Sequence, residues 1–337
     1  MNTKENILGY EKLSKLLKSF AVPSIIAMVV SSLYNVVDQI FIGQGVGYLG
    51  NAATNVSYPL TTICLSIALL IGIGSASRYS LYLGAGEPDK AAKVVGDGIS
   101  MMIFCGIVYA ILIELFIHPM LTAFGATDKV MPYALDYTRI TAVGMPLLIV
   151  TNGISNLARA DGSPKYSMTC MLVGAVINTI LDPIFIFPLG MGVAGAAIAT
   201  VIGQFFSCLM ALRYVPHFQQ VKLNRSHFGL HFRRWPSNVS LGLSSCLNQM
   251  ALTVVQIVLN NSLTYYGAMS VYGKDIPLAA CGIVMKTNSL LLAVIIGISQ
   301  GLQPIVGFNY GARKYDRVQK AYRLAFSCNL VISALGS

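Results

Sequence analysis

Two aspartates stand inside stretches of sequence too apolar for water, and their neighbours define the chemistry open to them. Asp38 falls late in an apolar run, with Tyr34 four residues before it, Asn35 three before and Ser31 seven before. In a helix those spacings put the four side chains on one side. Asp182 falls in a later run, with Asn178 one turn earlier and Pro183 directly after it. The proline leaves a backbone carbonyl of the preceding turn without its usual donor. A carboxyl held away from water favours its protonated form, and an acid at mid-bilayer costs about 2.5 to 3.5 kcal/mol on insertion scales. The chemistry such groups offer is uptake and release of a proton, or coordination of Na⁺ by clustered carboxylate, amide and hydroxyl oxygens.

The elements that must carry these acids span a membrane. Of the 337 residues 55% are hydrophobic and 11% charged, with a mean hydropathy of +0.66. A soluble domain carries about 25% charge. The composition therefore excludes a soluble enzyme, a nucleic-acid binder and a secreted disulfide scaffold, despite a net charge of +10. A spanning helix uses about 20 apolar residues, and nine such stretches can be marked: 19–42, 51–82, 96–117, 132–157, 166–187, 192–213, 238–263, 277–306 and 321–337. The reading is an all-α polytopic membrane protein. The basic opening segment, 1–18, precedes an apolar run too long for a signal peptide and is read as retained on the cytoplasmic side.

Loop charges test these spans independently, because cytoplasmic loops retain Lys and Arg. The N-terminus holds four, the 78–95 connection three, the 157–166 loop two, the 213–236 linker five and the 307–323 loop five. The intervening loops hold only Lys129 and Lys274, and Arg139 and Lys286 fall inside spans. The alternation places the N-terminus inside and accounts for most of the positive charge.

Other residue types carry less chemistry. Seven cysteines, with no CxxC pair, read as packing residues. His217, His227 and His231 share the basic linker with Arg233 and Arg234 but with no thiol or carboxylate, so the segment reads as a solvated, headgroup-facing loop without a metal. No Gly-rich phosphate loop with a lysine occurs, which argues against ATP. Arg139, a turn or two into its span, reads as snorkelling outward. Lys286 lies about 12 Å into the eighth stretch by helical rise, deep enough for either a cavity-facing or a packing role.

The chain also repeats itself. GIGSASRYSLYLGAGEPDKAAK at 72–93 and SQGLQPIVGFNYGARKYDRVQK at 299–320 align at an offset of 227, pairing Gly74 with Gly301, Gly84 with Gly311, Ala85 with Ala312, Asp89 with Asp316 and Lys93 with Lys320. Six spans separate the copies, so they share one orientation, as in transporters built from parallel repeats. This divides the chain into an N-terminal segment 1–18, a six-helix lobe 19–213, a basic linker 214–237 and a partial second lobe 238–337 of three helices.

The chain resembles the multidrug and toxic compound extrusion (MATE) family, in its DinF-like branch, through YNVVDQIFIG at 34–43, RYSLYLGAGEPDKA at 78–91, LARADGSPKYS at 157–167, NTILDPIFIFPLGMGVAGAAIAT at 178–200 and PIVGFNYGARKYDRV at 304–318. The resemblance implies two six-helix lobes, of which this chain holds one and half of the next; the repeat offset of 227 applied to the first lobe's end near residue 213 puts the expected close of the second about 100 residues beyond Ser337. It implies a cation-responsive site at Tyr34, Asp38, Asn178 and Asp182, lined by Tyr137, Asn152 and Thr200; Lys286 is a further lining candidate by its depth in the eighth stretch alone. The function expected is a cytoplasmic-membrane antiporter, not an enzyme and without cofactor, exporting amphipathic organic cations against H⁺ or Na⁺ by rocking of two lobes. Two other readings stand beside it: a flippase for lipid-linked precursors or polysaccharide, and a nontransporting fragment that acts as an interaction partner.

Overall fold

The computed structural model describes residues 6–126, 128–269 and 275–336, without the side chains of 275–287 and of a few residues in 256–268 and at 335–336. Ten α-helices follow one another: α1 (Leu13–Gly45), α2 (Tyr48–Gly84), α3 (Pro88–Ala123), α4 (Met131–Ala160), α5 (Pro164–Ile186), α6 (Gly192–Tyr214), α7 (Trp235–Ser240), α8 (Leu243–Ala268), α9 (Asp275–Gly311) and α10 (Tyr315–Gly336). Two of the turns share a Gly-x-Pro pattern. Gly86 (φ 76°) and Gly162 (φ 97°) end α2 and α4 in the left-handed region, and Pro88 and Pro164 then open α3 and α5. Glycine takes that conformation without a Cβ penalty, and proline at a helix start gives up an N–H that has no helical partner anyway.

Seven of the described helices are long and apolar enough to cross a bilayer: α1 to α6 and the Asn288–Gly311 part of α9. The expected seventh and ninth stretches are helical but differ in extent. The seventh breaks at Leu241 and Gly242 into α7 and α8, whose apolar part is Leu243–Leu259. The ninth is α10, where Asp316, Arg317, Lys320 and Arg323 occupy the first turns and leave an apolar stretch only from Leu324. Large apolar side chains along α3, among them Ile107, Ile111 and Leu115, are exposed as a lipid-facing strip requires.

Helices α2, α3, α5 and α6 pack on α4, the most enclosed of the helices, and α1 packs on α5. Helices α8 to α10 join them through the first half of α1 and the second half of α2. Leu16, Leu17, Phe20 and Ala21 of α1 share a buried cluster with Ile298 and Ile305 of α9 and Ala321 of α10. A Cβ on Gly301 would strike the Ala21 backbone, and one on Gly297 that of Ile25. The same approach recurs on the other side, where Gly74 faces the Asn238 carbonyl and Gly242 faces that of Leu70. Residues 70 and 74 are the repeat partners of 297 and 301. Helices α2 and α9 cross between these two contacts, where Gly84 lies against Phe308 and Ala312, and Gly311 against Leu81. Residues 81, 84 and 85 are 227 positions from 308, 311 and 312, so the copies of the repeat meet each other through equivalent residues. Small residues permit this close approach between helices in lipid.

Asparagine and arginine lock the same end. Buried Asn309 donates to the carbonyl of Leu8 at 2.9 Å, Arg317 donates to the carbonyl of Glu11 at 2.7 Å, and Lys314 donates to that of Gly9 at 3.0 Å. The segment ahead of α1 is thereby fixed to α9 and the start of α10.

The basic linker is docked, which corrects its reading as a solvated loop. Buried Asp97 of α3 binds His231 Nδ1 at 2.7 Å and Arg234 at 3.4 Å, and Ser100 Oγ accepts from the Gly229 N–H. Earlier in the linker, Gln219 and Gln220 donate their N–H groups to Asp161 at 2.6 and 3.1 Å. Asp161 is itself buried at the end of α4 and also accepts from the hydroxyls of Tyr79 and Tyr214. Burial holds its carboxyl above the ordinary value, a rise that these four donors offset only in part.

Two outcomes follow from this packing. Replacing Gly84 or Gly311 by Ala places a methyl group against backbone rather than a flexible side chain, so each should cost about 1–3 kcal/mol, seen as a lower Tm of the purified protein; Ile111→Ala on the lipid-facing strip should leave Tm nearly unchanged. Asp161→Ala leaves the Tyr79 hydroxyl and the Gln219 and Gln220 N–H groups without this acceptor, while Tyr214 keeps Ser163, and should cost about 2–4 kcal/mol, whereas Ala at exposed Asp136 should be close to neutral in the same melting experiment.

Candidate functional site

The two membrane acids meet. Asp38 of α1 and Asp182 of α5 lie beside each other in the bundle, with Tyr34 and Tyr137 near both. Asn178 Nδ2 donates to Asp182 Oδ1 at 3.1 Å and to Thr200 Oγ1 of α6 at 3.2 Å. Asp182 and Asn178 are buried, and Asp38, Tyr34, Tyr137 and Thr200 are half-buried. Four helices thus supply one polar cluster. Helical spacing explains the α1 and α5 pairs, since residues four apart lie one above the other.

The hydrogen-bond balance of this cluster is incomplete. Asp38 Oδ1, Asp182 Oδ2 and Asn178 Oδ1 are all acceptors shut away from water, and none has a donor. Leaving such groups unsatisfied costs free energy, more so for charged ones. Two facing carboxylates also resist ionising together. A proton shared by the pair turns one oxygen into a donor, and a small cation would take carboxylate oxygens as its ligands. The donor set, carboxylate and amide oxygens with hydroxyls, suits a hard ion such as Na⁺. Among the described residues no group of three or more His, Cys, Asp and Glu side chains is placed to hold a metal.

An apolar layer closes the cluster toward the 43–50 turn. Ile42 of α1, Ile186 of α5, and Val193 and Ala196 of α6 are buried together, with Phe41, Val46 and Tyr137 packed on them. Phe41 and Phe187 meet edge to face at 6.4 Å between ring centroids. These residues lie one turn beyond Asp38 and Asp182 on helices that run the same way, so they stand between the acids and that end of the bundle.

Of the two remaining lining candidates, the described residues place only Asn152, which lies away from the pair. Asn152 is about 22 Å along α4 from Tyr137 by helical rise, and its amide donates to the Leu148 carbonyl of its own helix at 2.9 Å. The Lys286 side chain lies outside the described residues. Arg139 is exposed beside Ile140 and Val143 on the outer face of α4, as snorkelling requires. Sequence reasoning missed the roles of Arg159, Asp161 and Asp97. Arg159 counted as a loop charge, yet it is buried and donates to Asn156 at 3.3 Å and to Ser167 at 3.4 Å. The available signal was an arginine and an aspartate two residues apart immediately before a Gly-x-Pro turn.

Comparison with known proteins agrees with this architecture. The MatE family model matches residues 23–184 and 244–337. The chain is 27% identical over 332 residues to a FAD transporter of Shewanella oneidensis, covering 96% of this chain and 71% of that protein. It is 26% identical over 317 residues to the multidrug export protein MepA of Staphylococcus haemolyticus, covering 92% and 68%. Among solved structures, a MATE protein in a straight conformation superposes with a TM-score of 0.90 at 24% identity, over 99% of this chain and 74% of that one. A MATE protein in a bent conformation gives 0.85, over 96% and 71%. These likenesses concern the fold. The family match covers most of the sequence, and the chain belongs to the MatE family of membrane efflux transporters.

Proposed function

We propose that the chain exports amphipathic organic cations across the cytoplasmic membrane in exchange for H⁺ or Na⁺, with the Asp38 and Asp182 pair as the coupling site. The observation that carries this is the trio of donorless acceptors between α1 and α5. An empty site holds two opposed negative charges, and one bound H⁺ or Na⁺ leaves a single charge and relieves the repulsion, so ion binding changes the relative stability of two arrangements of these helices. Helix α1 joins that site to the lobe contact, since its second half carries Tyr34 and Asp38 while its first half packs on α9. In this reading nine helices form a six-helix lobe and part of a second, which rock about the glycine crossing of α2 and α9. The N-terminus lies inside, as the loop charges require.

The FAD transporter among the relatives supports a second substrate class, since FAD is a large anionic dinucleotide. Substrate choice is therefore tested with a fluorescent organic cation and a flavin side by side. In cells expressing the native open reading frame, export of the cation should exceed that of the flavin. Asp38→Asn and Asp182→Asn should each lower driven export at least ten-fold without lowering membrane abundance. Wild-type export in both variants would remove the coupling role from this pair. A rise in Tm with NaCl but not KCl, lost in Asp182→Asn, would identify Na⁺; dependence on pH alone would identify H⁺.

Topology is checked by labelling single cysteines placed at exposed positions in a cysteine-free background. Ser226→Cys should react only with reagents that reach the cytoplasm, and Asp128→Cys with reagents added outside. Labelling of both from one side would overturn the lobe assignment.

A further inference from the structure

A groove of about 600 Å³ runs between α2, α3 and the docked linker, away from the acid pair. Its walls are apolar, with Leu70 on α2, Phe104, Val108 and Leu112 on α3, and Phe232 and Trp235 from the linker side. Phe104, Val108 and Leu112 are 36 to 42% exposed and continue the lipid-facing strip of α3, so the groove opens sideways to the bilayer. From Met101 to Leu112 it extends about 16 Å by helical rise, close to half of the roughly 30 Å hydrocarbon core.

One end of the groove is aromatic and positive. Phe104, Phe232 and Trp235 pack together with ring centroids 4.5 to 5.7 Å apart. Arg233 and Arg234 sit in the chain between the two linker aromatics, and Arg78 reaches the same segment by donating to the Ser237 carbonyl at 2.6 Å. Asp97 is the carboxylate there and is already held by His231 and Arg234. Arg233 is exposed and carries no ion pair among the described residues. The indole N–H of Trp235 is buried and has no acceptor, although an indole nitrogen can only donate. Tryptophan at headgroup level beside clustered arginines attracts an anionic lipid.

We propose that this groove binds an anionic phospholipid, with one acyl chain lying along α3 from Met101 toward Leu112 and the phosphate at Arg233 and Arg234. The depth of one leaflet, the sideways opening and the excess of positive charge at one end all match a lipid. A free anion would use the rim and leave the apolar groove empty. A zwitterionic lipid would use the groove and gain little from the rim. A bound lipid would brace the linker against α2 and α3, close to the contact of α2 with Asn238 and Gly242.

Trp235 is the single tryptophan of the sequence, so its fluorescence reports on this site alone. The protein is reconstituted in phosphatidylcholine bilayers containing small fractions of phosphatidylglycerol or phosphatidylcholine with brominated acyl chains, which quench on contact. Brominated phosphatidylglycerol should quench at about five-fold lower mole fraction than brominated phosphatidylcholine, the preference expected of one added basic contact at the surface. Arg233→Gln should reduce that ratio several-fold, and Arg233→Lys should largely keep it. Val108→Phe, which fills the groove, should weaken quenching by both lipids. Inorganic phosphate at constant ionic strength should leave the quenching by brominated phosphatidylglycerol unchanged. Equal quenching by the two headgroups, an unchanged ratio in Arg233→Gln, or relief of quenching by phosphate would overturn the proposal.

Discussion

Two carboxyls pressed together inside an apolar bundle cannot be satisfied by the protein that holds them. Asp38 has an oxygen with no donor, as do Asp182 and Asn178, and the amide donors of Asn178 are already committed to Asp182 and Thr200. In the proposed mechanism a proton or a small cation completes the set. Much of the N-terminal bundle can be understood as keeping that requirement in force. The layer of Ile42, Ile186, Val193 and Ala196 keeps water from meeting it on one side. The tyrosines of α1 and α4 bring hydroxyls near without neutralising it. The cost of holding two acids in a dry place is accepted where their occupancy matters.

The consequence is carried by α1, which belongs to two contacts at once. Its first half shares a core with α9 and α10, and the preceding turn is tied to Asn309, Lys314 and Arg317. Its second half packs on α5 and α6 around the acids. Pro23 removes a helical hydrogen bond within the first of these halves, so the two need not move as one rod. The opposing crossing of α2 and α9 is set by backbone approaching backbone at Gly84 and Gly311. Gln303 of α9 ties the same pair of helices by donating to Ser77 Oγ at 2.8 Å and to the Ile73 carbonyl at 3.3 Å.

The apolar stretches, the acids and their helical neighbours were legible in the sequence because each depends on local composition and spacing. The same is true of the glycine repeat, whose copies meet at equivalent positions. Other features depended on which helices would be neighbours. Asn152 looked equivalent to Tyr137 as an α4 polar residue, but helical rise separates them by about four turns. The seventh stretch read as continuous because Leu241 and Gly242 preserve its hydropathy, yet Gly242 must pass close to Leu70 and the helix breaks there. Charge counting treated Arg159 as a solvated loop residue, since counting by loop cannot distinguish a solvated cation from one buried against Asn156 and Ser167.

The linker shows the same limit from the opposite direction. Its composition, rich in arginine and histidine, describes a segment that favours water and headgroups, and half of that description stands: Arg225 and Arg233 are exposed. What composition could not give is the position of two acids on other elements. Asp97 lies in α3 amid small and apolar neighbours, and Asp161 closes α4, so neither announces a partner more than fifty residues away. Once buried, each needs donors, and the linker supplies them through His231, Arg234 and the backbone of Gln219 and Gln220. Satisfying those acids fixes the path of the linker across α2 and α3. That path in turn brings Phe232 and Trp235 against Phe104 and leaves Arg233 facing outward at the end of an apolar groove. A polar requirement inside the protein thus decides what the protein presents to the lipid outside it.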